Sequence, residues 1–185
     1  MKKIISDDYK KQLEELHATN SAFGKGNVTA KHYPAIEAMI KKHQFESVLD
    51  YGCGKGHFIK HLSEIDSKLK TSGFDVANDE FATLSDDKFD LVVSLDVMEH
   101  VEFGLLGNVL AEISERTNKM FFCSVANYPA GKKLPDGRNA HVTQMPFGQW
   151  FNHFSLYFKV VKFVRTKRSE AIFVCKPMSG ESDWR

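Results

Sequence analysis

Val48-Leu49-Asp50-Tyr51-Gly52-Cys53-Gly54-Lys55-Gly56-His57-Phe58, or VLDYGCGKGHF, is the stretch from which the rest of this chain is read. An apolar run ends in an acid, and three glycines then alternate with other residues. Glycine gives up more conformational entropy on folding than any other residue, so three at alternate positions imply that side chains there would be in the way. Ser47–Tyr51 reads as a strand, and His57–Ile65 as a helix with Phe58, Ile59 and Leu62 inward. A strand leading through a glycine turn into a helix is where doubly wound sheets bind nucleotide-like ligands. A tight turn with no ligand is the plainer alternative. The dinucleotide fingerprint GxGxxG fits less well, because the glycine after Gly54 is Gly56 and position 57 is His.

Working outward, short apolar runs alternate with helical stretches. Asp7–His17 reads as a helix with Tyr9, Leu13 and Leu16 on one stripe, and 29–43 as a second, capped by Thr29, with Ile36, Met39 and Ile40 apolar. Beyond the glycine loop come a strand at Thr71–Phe74, the apolar strand Phe89–Leu95, a helix at Phe103–Arg116 and a strand at Lys119–Val125. After the turn-rich 128–141, a helix is expected over 146–154. Two final strands, 158–164 and 171–177, are separated by six polar residues, too few for a parallel crossover, so they form an antiparallel hairpin. The fold class is therefore α/β, a single doubly wound and mainly parallel sheet closing with a C-terminal antiparallel hairpin.

The totals narrow the function. At 185 residues with 42% hydrophobic and 26% charged, the chain has the composition of one globular domain. Twenty-five Lys and Arg balance twenty-four Asp and Glu, which gives no global reason to expect nucleic acid or an anionic membrane as partner. Cys53, Cys123 and Cys175 form no CxxC pair and read as small buried residues in a cytoplasmic protein. No stretch approaches the ~18 apolar residues of a membrane span, and MKKIISDDYKKQ has no apolar core of a signal peptide.

VLDYGCGKG resembles motif I of class I S-adenosylmethionine-dependent methyltransferases, hydrophobic-hydrophobic-Asp-x-Gly-x-Gly-x-Gly. FDLVVSLDVMEHV (89–101) is similar to the fourth strand and following EH turn of that family, and the final antiparallel hairpin agrees with its inserted seventh strand. The likeness covers roughly residues 33–177. It implies S-adenosylmethionine as cofactor, with Asp50, Gly52, Cys53, Gly54 and Lys55 along its amino-acid end. Asp75, 21 residues beyond Gly54 and followed by Val76, would accept from the ribose hydroxyls, and Asp96 and Val97 would line the cofactor from the fourth strand. One departure stands out. Only thirteen residues, 76–88, separate Asp75 from Phe89, where the family places a helix, a strand and a loop, so this region is shortened. Phe81 and Leu84 are then candidates to pack the adenine, and Ser85 or Asp86 to reach its amine.

Methyl transfer from a sulfonium needs alignment and exclusion of water, and an oxygen nucleophile also needs a base within reach. The candidates are Asp96, Glu99 and His100 in DVMEH, and His141 in GRNAH. The competing readings are a turn cap for Asp96, a structural Glu–His pair for Glu99 and His100, and a surface polar cluster without function for His141. Arg138, Asn139, His141 and Trp150, with Phe147, are candidate substrate contacts. KLPDGRNAHVTQMPFGQWF also resembles a segment of small bacterial and phage methyltransferases. The place of an Asx-Pro-Pro-aromatic turn reads SLDVME, which argues against adenine amino methylation, and no Pro-Cys nucleophile is present. Lys159, Lys162, Arg165, Lys167 and Arg168 read as a solvated face, so nucleic acid is disfavoured. His57 and His61 share a helix face without a third ligand nearby in sequence, and no metal is expected.

The expected organisation is an N-terminal helical segment or lid over 1–32 bearing Phe23, Lys25 and Tyr33, a methyltransferase-like domain over 33–178, and a frayed tail over 179–185. The expected activity is methyl transfer to a small-molecule or glycan hydroxyl. A nicotinamide-dependent oxidoreductase or epimerase, predicting a parallel sixth strand, and a non-catalytic S-adenosylmethionine-binding module remain the alternatives.

Overall fold

The computed structural model describes residues 2–19, 29–166 and 169–178. Phe23, Lys25, Lys167, Arg168 and the tail 179–185 lie outside the described residues. The chain runs α1 (Asp7–Thr19), α2 (Tyr33–His43), β1 (Ser47–Tyr51), α3 (His57–Ile65), β2 (Lys70–Phe74), β3 (Phe89–Leu95), α4 (Leu106–Arg116), β4 (Thr117–Ala126), α5 (Phe147–Ser155), β5 (Phe158–Arg165) and β6 (Glu170–Pro177). One six-stranded sheet has the order β2-β1-β3-β4-β6-β5. β2, β1, β3 and β4 are parallel, and β6 runs antiparallel between β4 and β5. The antiparallel sixth strand is the opposite of what a nicotinamide-dependent fold predicts.

Alternation along the central strands splits the core between two faces. Leu49, Val92 and Phe121 share one layer with Leu106, Leu110, Trp150 and Phe154 from α4 and α5. Their chain neighbours Val48, Leu91 and Phe122 share the other with Ile36 of α2 and Phe58 and Leu62 of α3. The register pairs Val48 with Leu91 and Leu49 with Val92, so one slip would carry both layers to the wrong side. β3 is buried at every position, as its unbroken apolar run requires.

Two helix starts differ from the sequence reading. Residues Thr29–His32 form a 3-10 turn and α2 begins at Tyr33. Pro34 has no N–H to give the carbonyl of residue 30, so an unbroken α-helix from 29 is excluded. Likewise Phe103–Leu105 is a 3-10 turn ahead of α4, and Phe103 is exposed. The segment 76–88 holds a single 3-10 turn, Asp79–Phe81, in place of a helix and strand. α1 forms as read. Ser6 Oγ accepts from the Tyr9 N–H at 3.3 Å, Asp7 and Asp8 occupy the first turn, and Tyr9, Leu13 and Leu16 are buried. Among the described residues, no helix is long and apolar enough to cross a membrane.

Candidate functional site

The carboxyl ends of β1, β2, β3 and β4 open into a cavity of about 590 Å3. Its floor is the glycine turn. Gly52 has φ +84°, and a Cβ there would lie 2.4 Å from Val97 Cγ2. Gly56 has φ +69°, and its Cβ would lie 2.7 Å from Phe81 Cζ. The protein's own neighbours thus already demand bare backbone at two of the three glycines, independently of any ligand. The N–H groups of Gly52 and Cys53 both bond the Phe74 carbonyl, at 2.7 and 3.0 Å.

The β2 loop clamps this turn. Asp75 Oδ2 accepts from the Gly54 N–H at 2.8 Å, and Asn78 Nδ2 donates to the Gly54 carbonyl at 2.7 Å. Asp75 Oδ1 accepts from the Ala77 N–H at 2.9 Å. Each carboxylate oxygen therefore keeps one acceptor position, which suits a vicinal diol. Asn78 escaped the sequence reading, since nothing local marks it as the partner of Gly54. Asp50, at the end of β1, is 4% exposed. Burial, helped by the charge of Asp75, pushes its carboxyl up to about 7.

The far wall comes from β3, β4 and the loop after β4. Asp96 has φ +54°. Its N–H bonds the Ser124 carbonyl at 3.1 Å, and its Oδ1 accepts from Ser124 Oγ at 2.6 Å. His100 Nδ1 lies 2.8 Å from the Ala140 carbonyl, and His141 Nδ1 bonds the Tyr128 carbonyl. A carbonyl only accepts, so both rings carry hydrogen on Nδ1, and in the neutral form the lone pair sits on Nε2. The rings meet edge to face, with centroids 4.8 Å apart, and both line the cavity. The sequence separates these histidines by forty other residues, and no periodicity connects them.

A family model described as a methyltransferase domain matches residues 8–162. The chain belongs to the methyltransferase-domain family. Its cofactor is accordingly S-adenosylmethionine, as the glycine motif implied. None of the curated protein sequences matches. Among solved structures, the N-methyltransferase NodS from Bradyrhizobium japonicum WM9, in complex with S-adenosyl-L-homocysteine, superposes with a TM-score of 0.63 at 11% identity, covering 94% of this chain and 100% of that one. Burkholderia thailandensis 1,6-didemethyltoxoflavin-N1-methyltransferase gives 0.64 at 15% identity, with 97% and 94% covered. The methyltransferase domain of bacterial CtHen1-C gives 0.61 at 17%, with 83% and 100% covered. At these identities the likeness is one of fold.

In this methyltransferase, Asp50, Gly52, Cys53, Gly54, Asp75, Val76, Asp96 and Val97 all line the one cavity, whereas Lys55 does not. Of the adenine candidates, Leu84 borders a smaller cavity of about 280 Å3 that shares Ile4, Ile5, Phe74 and Val76 with the first. Phe81 is turned to Gly56 and Gly73. Ser85 Oγ caps the Asp87 N–H, and Asp86 pairs with Arg116 at 2.8 Å, so neither reaches the cavity.

The structure places several proton-transfer and substrate candidates outside the lining of the cavity. Glu99 is fully buried. Its Oε1 accepts from the Ala126 N–H at 2.9 Å, and burial beside Asp96 holds its carboxyl well above the usual range; it lies behind the wall, not in the cavity. Trp150 is also fully buried, among core aliphatics and aromatics. Asn139 pins its own loop, accepting from the Ala130 and His141 N–H groups at 2.9 Å. Arg138 is exposed and spent on Asp136 at 2.6 Å. Phe147 packs on Phe163 and under Arg165. A polar or aromatic run in the sequence does not distinguish a self-satisfied loop or a core helix from a pocket wall.

His61 pairs with Glu37 at 2.7 Å, a carboxylate supplied by α2, while His57 faces the cavity. Among the described residues, one group has ligand types within metal-binding reach: atoms of His32, Asp96 and Glu170 lie within 4.8 Å of one another. Glu170 already meets Lys31 at 2.7 Å and His32 at 3.1 Å, so these residues work as a polar clamp between the N-terminal turn and β6.

Proposed function

We propose that this methyltransferase methylates a hydroxyl of a small molecule or glycan, with His141 as the proton acceptor. The observation that carries this reading is the His141 ring in the same cavity as the glycine turn and Asp75, its Nδ1 fixed on the Tyr128 carbonyl and its Nε2 lone pair available. The cofactor supplies a methyl group on a sulfonium when bound. The chain's own residues do the rest. Asp50 would meet the cofactor's ammonium and Asp75 the ribose hydroxyls, while the Gly52–Gly56 backbone lies beneath. His141 takes the acceptor's proton as the oxygen attacks, and edge-on His100 limits how its ring can turn. The half-exposed Tyr128 forms part of the acceptor's wall.

A small-molecule acceptor is favoured by the form of the site, a mainly apolar cavity and not a basic groove, and by the toxoflavin precursor named with one structural neighbour. The cationic strand β5 lies at the far edge of the sheet from the glycine turn. We place the protein in the cytoplasm, where three free buried thiols are stable. The described residues before α2 serve as a cover, with Ile4, Ile5, α1 and Thr29 against the cavity beside Tyr33.

The test is an acceptor screen that measures S-adenosylhomocysteine release from alcohols, phenols, sugars and amines, on wild type and His141→Gln. Hydroxyl acceptors should react, and the variant should lose about 10²–10⁴ in kcat while keeping its KM for S-adenosylmethionine. Turnover confined to amines, or a His141→Gln enzyme with an unchanged pH–rate profile, would refute the reading.

A further inference from the structure

Tyr9 carries a buried polar atom that the protein leaves unanswered. The residue is 2% exposed, and its hydroxyl, sealed from solvent, has no hydrogen-bond partner among the described residues. An unsatisfied buried hydroxyl destabilises a fold. Glu102, whose charge acts on Tyr9, is engaged elsewhere, accepting from the Ser6 N–H and the Ser6 hydroxyl, each at 2.8 Å. Burial and Glu102 both disfavour the phenolate, so the group stays a donor. Tyr9 also lines the main cavity.

Its surroundings say what it faces. Tyr9 clusters with Ala77, Leu134 and Ala140, with Val76 packed against them. Val76 and Ala77 directly follow Asp75. Between β2 and β3 the chain offers only one 3-10 turn, which leaves the cavity open beyond Val76 from its own side of the sheet. The N-terminal segment closes that gap, since Ile4 and Ile5 border both the main and the smaller cavity. The two Ser6–Glu102 bonds, and Asn108 Nδ2 on the Lys3 carbonyl at 2.8 Å, hold the segment there.

We propose that α1 and the residues before it form the wall around the nucleoside half of the cofactor that the short 76–88 segment does not supply, and that the Tyr9 hydroxyl donates a hydrogen bond to a ring nitrogen or sugar oxygen of the adenosyl group. This rests on Asp75 holding the ribose. Tyr9→Phe keeps the ring and removes only the donor. In calorimetric titrations it should bind S-adenosylhomocysteine about three- to tenfold more weakly, and 5′-methylthioadenosine, which lacks the amino-acid end, by the same factor. The ligand-free variant should melt at the wild-type temperature or above. Unchanged affinity for both ligands would overturn the proposal. A loss confined to S-adenosylhomocysteine would remove the assignment to the adenosyl group, and a lowered melting temperature accompanying the loss would make Tyr9 a packing residue only. Asp75→Ala, measured alongside, separates the two levels: if it too binds normally, the placement of the cofactor itself is wrong.

Discussion

Replacing Asp50 with Asn should change the pH dependence of stability and of cofactor binding in opposite ways. Burial and the neighbouring Asp75 push the Asp50 carboxyl up from 3.8 to about 7. Between those values the folded protein keeps a proton that the unfolded chain has lost, so wild-type stability falls as pH rises through this window and levels off above it. Each pH unit is worth about 1.4 kcal/mol, so the window from 3.8 to about 7 amounts to about 4 kcal/mol at most. Water in the adjoining cavity lowers the figure, and we expect ~2–4 kcal/mol. Asn has no charge to bury. In urea unfolding of the ligand-free proteins at unit steps from about pH 5 to about pH 8, the variant should gain steadily on wild type up to neutrality and then hold its lead. Binding should show the reverse. Wild type should take S-adenosylhomocysteine more tightly as Asp50 ionises to meet the ligand's ammonium, while Asp50→Asn should lose about 1.5–3 kcal/mol at high pH and show no such rise. Parallel stability curves for the two proteins would refute the reasoning, because they would mean that Asp50 is already ionised in the empty site.

Two further substitutions separate the floor of the site from the core behind it. Gly52→Ala places a Cβ 2.4 Å from Val97 Cγ2 at φ +84°, so about 2–4 kcal/mol of stability should be lost together with cofactor affinity; a melting temperature equal to wild type would show that the turn relaxes freely. Trp150→Ala empties a fully buried site and should cost about 3–5 kcal/mol in denaturant unfolding, with S-adenosylhomocysteine affinity intact where the protein is still folded. Weakened acceptor binding at undiminished stability would return Trp150 to the pocket.

Much of the sheet was legible because its signals are local. Ser47–Tyr51, His57–Ile65 and Phe89–Leu95 match the sequence reading residue for residue, since the apolar runs are short, unbroken and bounded by turn residues. The helix starts at Thr29 and Phe103 were read too early, because periodicity does not register a missing N–H at Pro34 or the change from 3-10 to α geometry. The glycine-turn side of the cavity was legible through spacing: Asp50, Gly52 and Gly54 are neighbours in sequence, and Asp75 lies one strand away. The opposite side was not. Trp150 and Arg138 carry the chemistry of a binding wall, yet one is core and the other is held by Asp136. Ile4, Ile5 and Tyr9, which do line the cavity, look like an ordinary amphipathic helix and its lead-in.

That contrast has a structural cause. The rim of the sheet is tied together by bonds between adjacent strand ends, Gly54 to Asp75 and Asn78, and Asp96 to Ser124, so its geometry survives without help from the rest of the chain. The cover is assembled from parts far apart in sequence. α1 meets the 128–141 loop through Leu134 and Ala140, through Arg138 over the Tyr9 ring at 5.9 Å, and through Gln12 to the Asp136 N–H at 3.4 Å. Arg138 is thus tied to Tyr9 and α1. His100 is oriented by Ala140 and His141 by Tyr128, both in the same loop, so a change in how α1 seats on that loop would move the proposed base as well. The glycine-turn rim is thus fixed locally on the sheet, while the proposed nucleoside wall and the proposed base both depend on a docked interface between the two covering segments.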